Sequence, residues 1–135
     1  MSSRRQERRL AIEILFQADV TGTDGPTALE GWVGSGRLVP EFTRSLVEGV
    51  SYHLQEIDRT IAAHSEGWTV DRMASVDRTV LRVATYELAF GGEVPVGVAI
   101  DEAVRAAKDL STEDSGRFVN GILGKIAREL DPNQS

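Results

Sequence analysis

The chain has 135 residues, carries a formal net charge of -6, is 41% hydrophobic and 27% charged, and contains no cysteine. These values describe a single globular sequence able to bury a core without staples. They exclude a disulfide framework, thiolate chemistry and a protein coated in positive charge for wrapping nucleic acid.

The first predicted helix runs from about Arg4 to Asp19, with Ala11, Ile14, Leu15 and Ala18 on a core face before Gly22 and Gly25 break it. Its first turns hold four arginines, Arg4, Arg5, Arg8 and Arg9, against one acid, Glu7. At roughly 100° per residue, Arg5, Arg9, Ile12 and Phe16 share one stripe, with Arg8 beside it. Such a stripe offers guanidinium groups to phosphates and an aromatic face to an unstacked base, the combination that single-stranded RNA binding uses. The alternative is a solvated, partly frayed terminus with Phe16 in the core. Next, Pro26, Thr27 and Glu30 predict a capping box for a short helix ending near Gly34. Pro40 then opens a longer helix whose apolar positions are Phe42, Leu46, Val50, Leu54, Ile57 and Ile61. Gly67 and Trp68 read as a joint between two halves, with Trp68 as a plug between them, followed by a short helical turn over Thr69 to Ala74. Ser75 is expected to cap a helix carrying Val76, Val80, Val83, Ala84 and Leu88, stopped by Gly91 and Gly92. Another follows Pro95, through Ile100, Ala103, Val104, Ala107 and Leu110. The last enters through Ser111 to Asp114, aligns Val119, Ile122, Leu123, Ile126 and Leu130, and ends at Pro132.

No stretch alternates with period two. The expected fold is all-α, a compact bundle of about seven helices in one domain over 1–135, with sub-bundles at about 1–66 and 67–131. No apolar run approaches the roughly 20 residues a membrane span needs, and no apolar segment follows the N-terminal arginines as in a secretory signal, so a cytoplasmic location is expected.

The catalytic inventory is thin. There is no P-loop, no Gly-rich dinucleotide turn and no HExxH motif. His53 and His64 would lie about 16 Å apart on the long helix, too far to share a metal, and read as solvated surface residues. The acid pairs Asp101–Glu102 and Glu113–Asp114 read as first-turn residues favoured by the helix dipole. The expectation is no catalytic residue, no metal and no cofactor.

The segments Arg8-Arg9-Leu10-Ala11, Leu15-Phe16-Gln17, Leu46 to Val50, Ile57-Asp58, Trp68, Asp77 to Ala84 and Tyr86-Glu87-Leu88 form an ordered series. It continues through Val94-Pro95, Val98 to Val104, Ala107-Lys108 and Phe118 to Leu123. In this order and spacing the chain resembles the NusB family of bacterial transcription antitermination factors along nearly its whole length. The resemblance implies a NusB-like fold that binds the boxA segment of nascent RNA as a single strand. It further implies action with NusE, a ribosomal small-subunit protein, and with other Nus factors in complexes that let RNA polymerase read through terminators, particularly on ribosomal RNA operons. The same fold resembles the RNA-binding domain of some ribosomal RNA methyltransferases, which leaves a stand-alone RNA-binding module as an alternative. A protein–protein adaptor whose basic end binds acidic protein is another.

Carried onto this chain, the family's RNA-binding motif falls on Arg4, Arg5, Arg8 and Arg9. Relatives often carry tyrosine at the position of Phe16, which the resemblance places against RNA or NusE. Asp77, Arg78 and Arg82 would border the RNA and NusE surfaces, with Asp77 and Arg78 toward NusE. Arg82 reads equally as an RNA contact or as a clamp to Glu87 or Glu102. Asp114, Arg117, Phe118 and Asn120 resemble positions close to bound RNA. Asn120-Gly121 is unfavourable in mid-helix, so a structural hydrogen bond is expected for Asn120 and a close helix approach for Gly121. The family includes monomers and homodimers, and a stripe edged by Ile12 and Phe16 suits a homodimer burying the RNA face.

Overall fold

A computed structural model describes residues 2–91 and 93–130. The expected features at Gly92 and Pro132 lie outside those residues. Among the described residues there are seven α-helices and no strand: α1 (Arg4–Thr21), α2 (Gly25–Gly34), α3 (Glu41–Tyr52), α4 (Leu54–Ala63), α5 (Ser75–Tyr86), α6 (Val96–Leu110) and α7 (Glu113–Leu130). A 3₁₀ turn (Val70–Arg72) precedes α5 and a π turn (Glu87–Gly91) follows it. None of these helices is long and apolar enough to cross a membrane.

The helices fall into two units, Met1–His53 and Leu54–Ser135. In the first, α1, α2 and α3 pack on one another. Ser3 starts α1 with a reciprocal capping box: Gln6 N–H donates to Ser3 Oγ at 3.1 Å and Ser3 N–H to Gln6 Oε1 at 2.8 Å, so the arginines sit on an ordered first turn. Gly22, at φ 73°, ends the helix in the left-handed conformation that glycine adopts without strain. The start of α2 differs from expectation: Asp24 is the cap, accepting from Thr27 N–H at 2.8 Å. An Asp directly before Gly25-Pro26 leaves Pro26 in the first turn, where its fixed φ suits the helix, and Thr27 already lies inside. Gly25 is buried against α3, so close that a Cβ there would strike Ser51 Oγ. Buried Thr43 ties α3 to α1, its Oγ1 donating to Glu7 O at 2.8 Å.

In the second unit α5 packs against α4, α6 and α7, and α6 lies along α7. The core holds Ile57 and Ile61 of α4, Val80, Leu81 and Val83 of α5, an alanine row on α6 (Ala99, Ala103, Ala106, Ala107), and Val119, Ile122, Leu123 and Ile126 of α7. Buried Gly116 lets the Lys108 stem cross α7, since a Cβ there would be 2.6 Å from Lys108 Cγ.

Several expectations are corrected. The single long helix after Pro40 is interrupted at His53 (φ -101°, ψ 18°), and the division between units falls there, not at Gly67–Trp68. Leu46 and Val50 are buried in the first unit and Ile57 and Ile61 in the second, so the apolar spacing in the sequence runs on through His53 and could not register the break. Trp68 is no plug: it is 53% exposed and meets Phe118 edge-on, ring centroids 5.9 Å apart. It follows a turn in which Glu66 and Gly67 have φ of 46° and 89°. Ser75 is the first helical residue and not the cap, which is Ala74. Asp101 and Glu102 stand beyond the first turn of α6, which begins at Val96 immediately after Pro95.

Candidate nucleic-acid interface

The outward face of α1 combines charge with an aromatic. Arg5 is exposed, Arg9 and Phe16 are half-buried, and Val20 is exposed, and at roughly 100° per residue these four lie within a band about 60° wide. The expected stripe is shifted around the axis. Ile12 is 2% exposed and Arg8 7%, so both belong to the face that packs, together with Ala11, Ile14 and Ala18. The cause is tertiary: α2 and α3 both pack on α1, and two neighbours cover a wider arc than Ala11, Ile14, Leu15 and Ala18 mark. With Ile12 in the core, it is no longer available to edge a self-association surface.

Arg4 remains outside, its side chain 68% exposed, with Nη1 donating to Glu7 Oε1 at 3.2 Å. Its guanidinium lies 4.2 Å from the ring centroid of Phe42 on α3, and that of Arg8 lies 5.4 Å from the same centroid. Sequence reasoning assigned Phe42 only to a core stripe, because nothing local relates residue 42 to residues 4 and 8. Farther along, Trp32 Nε1 donates to Gln17 Oε1 at 2.8 Å while Arg37 stacks on the Trp32 ring at 4.3 Å.

In the second unit, Asp77 stands in the first turn of α5, and its buried Oδ1 has no hydrogen-bond partner among the described residues. Arg78 serves the chain itself: Nη1 donates to Val70 O (3.0 Å) and Met73 O (3.2 Å), and Nη2 to Ser75 Oγ (3.3 Å), fastening the 3₁₀ turn to α5. Arg82 forms a two-pronged pair with Asp58 on α4, Nε to Oδ1 and Nη2 to Oδ2, each 2.8 Å. Asp58, which was not among the expected clamp partners, is thus one partner of Arg82.

On α7 the buried positions are Ser115, Gly116, Val119, Ile122, Leu123 and Ile126. Helical phase puts Asp114, Arg117, Phe118, Asn120 and Gly121 on the other side. Asp114 and Arg117 form an exposed ion pair, and Phe118 is half-buried against Trp68. Asn120 and Gly121 are exposed; a Cβ at Gly121 would meet nothing within 4 Å, so the expected close helix approach is not made, and among the described residues Asn120 shows no side-chain hydrogen bond. His64 is likewise no solvated residue: it is half-buried, Nδ1 facing Thr60 O at 2.7 Å and Nε2 paired with Glu129. It lines a cleft of about 350 Å³ with Glu56, Arg59 and Ile126, which none of the expected RNA or NusE residues enters.

Comparison with known proteins agrees with this architecture. Residues 5–128 match the sequence profile of the NusB family. The transcription antitermination protein NusB of Saccharopolyspora erythraea is 52% identical over 130 residues, covering 94% of this chain and 88% of that protein. Among solved structures, NusB of T. maritima superposes with a TM-score of 0.83 at 41% identity, covering 96% of this chain and 94% of the other. The antitermination factors NusB and NusE in complex with dsRNA match with a TM-score of 0.81 at 28% identity, over 93% of this chain and 96% of the other.

Proposed function

The chain belongs to the NusB family, and from that premise we propose that it is a transcription antitermination factor that binds boxA of nascent ribosomal RNA together with NusE. The role is one of binding and not catalysis, exercised in the cytoplasm alongside other Nus factors and RNA polymerase. The observation that carries the reading is the outward band of Arg5, Arg9 and Phe16 on an ordered α1, in a chain of net charge -6. Guanidinium groups there meet phosphates, and a half-exposed Phe ring accepts an unstacked base, which favours a single strand over a duplex. Arg4 adds a further cation. On α7, Asp114, Arg117 and Phe118 offer a second polar and aromatic face. Asp77, half-buried in the first turn of α5, adds to the acidic body on which a basic ribosomal protein would dock, and NusE docked there would relieve its repulsion of RNA.

The test is a titration of labelled boxA RNA, a scrambled strand and a boxA duplex, with and without saturating NusE, at two salt concentrations. The single-stranded boxA should bind tightest, and NusE should tighten it by about 1–3 kcal/mol, with RNA tightening NusE by the same factor. Equal affinity for all three ligands in the presence and absence of NusE would overturn the proposal.

A further inference from the structure

We propose that Phe42 is a positioning residue for RNA binding, its ring holding the Arg4 guanidinium in place for a phosphate and anchoring Arg8 beneath it. The inference rests on the antitermination reading and deepens it. Arg4 and Arg8 are one turn apart on α1, and both guanidiniums converge on the Phe42 ring, at 4.2 and 5.4 Å from its centroid, within the range of cation–π attraction. The backbone that carries the ring is held in place, because its neighbour Thr43 is fully buried and bonded to Glu7 O of α1 at 2.8 Å. The two cations differ in what they can do. Arg8 is 7% exposed and out of reach of a strand on the surface. Arg4 is mostly exposed and, among the described residues, gives only Nη1 to Glu7.

Phe42 is itself only half-buried, so the core does not demand an aromatic there, and a leucine would cover the same apolar surface. What leucine lacks is the negative face of the ring. An arginine free in solvent loses rotamer freedom when it grips a phosphate. Held against the ring and bonded to Glu7, Arg4 has less of that freedom left to lose.

The experiment compares full-length wild type, Phe42→Leu, Phe42→Tyr and a chain with pentafluorophenylalanine at position 42, which keeps the shape and reverses the ring's charge distribution. Each is titrated with single-stranded boxA RNA in the presence of NusE and melted thermally, and Phe42→Leu is repeated in an Arg4→Ala background. Phe42→Leu and the fluorinated ring should bind RNA about three- to tenfold more weakly, with the slope of affinity against salt unchanged because no phosphate contact is deleted. Phe42→Tyr should restore binding to within about twofold, and Phe42→Leu should have no further effect once Arg4 is gone. Wild-type affinity in the fluorinated chain, or an undiminished Phe42→Leu effect without Arg4, overturns the inference while leaving the function intact. If wild type itself binds no RNA with or without NusE, the function and the inference fall together.

Discussion

Removing Arg82 separates a structural clamp from an RNA contact. Two charge-assisted bonds of 2.8 Å join it to Asp58, with side chains 18% and 30% exposed, so water screens the pair only in part. Fully exposed pairs contribute about 0–1 kcal/mol and hydrogen bonds to charged groups about 1.5–3, which places this fork at about 1–2 kcal/mol. Over 135 residues, an unfolding entropy of about 2.1 cal/mol/K per residue turns that into a fall in melting temperature of about 4–7 °C. Urea and thermal unfolding of Arg82→Ala, Asp58→Ala and the double variant give the coupling energy, and the double variant should be scarcely less stable than either single one. Arg82→Lys should resemble Arg82→Ala, because an ammonium cannot reproduce the fork. RNA affinity should stay within about twofold of wild type. A coupling below about 0.5 kcal/mol, together with tenfold weaker RNA binding and a salt slope reduced by about one unit, would refute this reasoning and make Arg82 a phosphate ligand.

Arg5→Ala and Arg9→Ala should leave the melting temperature in place and each reduce the salt slope of RNA binding by up to about one unit, whereas Arg8→Ala should cost about 1–3 kcal/mol of stability by melting analysis because its stem is packed. Gly121→Ala, in open space on an exposed helix, should raise stability by about 0.5–1 kcal/mol in urea unfolding; RNA titration of that stabilised variant shows whether a strand approaches the α7 surface there. Hydrogen bonding from Thr27 holds the Asp24 carboxyl below its ordinary value, and bonding to Lys125 does the same for Glu66. Depressed carboxyls contribute stability that is present above an unfolded value of about 4 and lost as pH falls through the lower folded value. Asp24→Asn with Glu66→Gln should therefore be less stable than wild type at pH 7 and converge with it in acid, as read by melting against pH.

The order of helices, the starts of α3, α6 and α7 and the core positions Val80, Val83, Ala84, Ala103, Ala107, Val119, Ile122, Leu123 and Ile126 were legible in the residues, because apolar period, proline and glycine act through the backbone of one segment at a time. Leu110 and Leu130, expected in the core, are half exposed, and buried Leu81, Ala99 and Ala106 were missed. The family resemblance was legible for the same reason: its motifs are contiguous stretches. Of the candidate site, the arginine-rich end and Phe16 could be located in sequence, but not which arginines reach solvent. Arg8 and Ile12 went inside because α2 and α3 together cover more of α1 than its own apolar residues mark. Arg78 was claimed by the carbonyls of Val70 and Met73, Arg82 by a carboxylate 24 residues upstream, and Arg4 by a ring 38 residues downstream. Periodicity says which face of a helix is apolar. Which polar groups on the remaining faces are occupied depends on neighbours brought close only by folding, and helical phase holds no record of them.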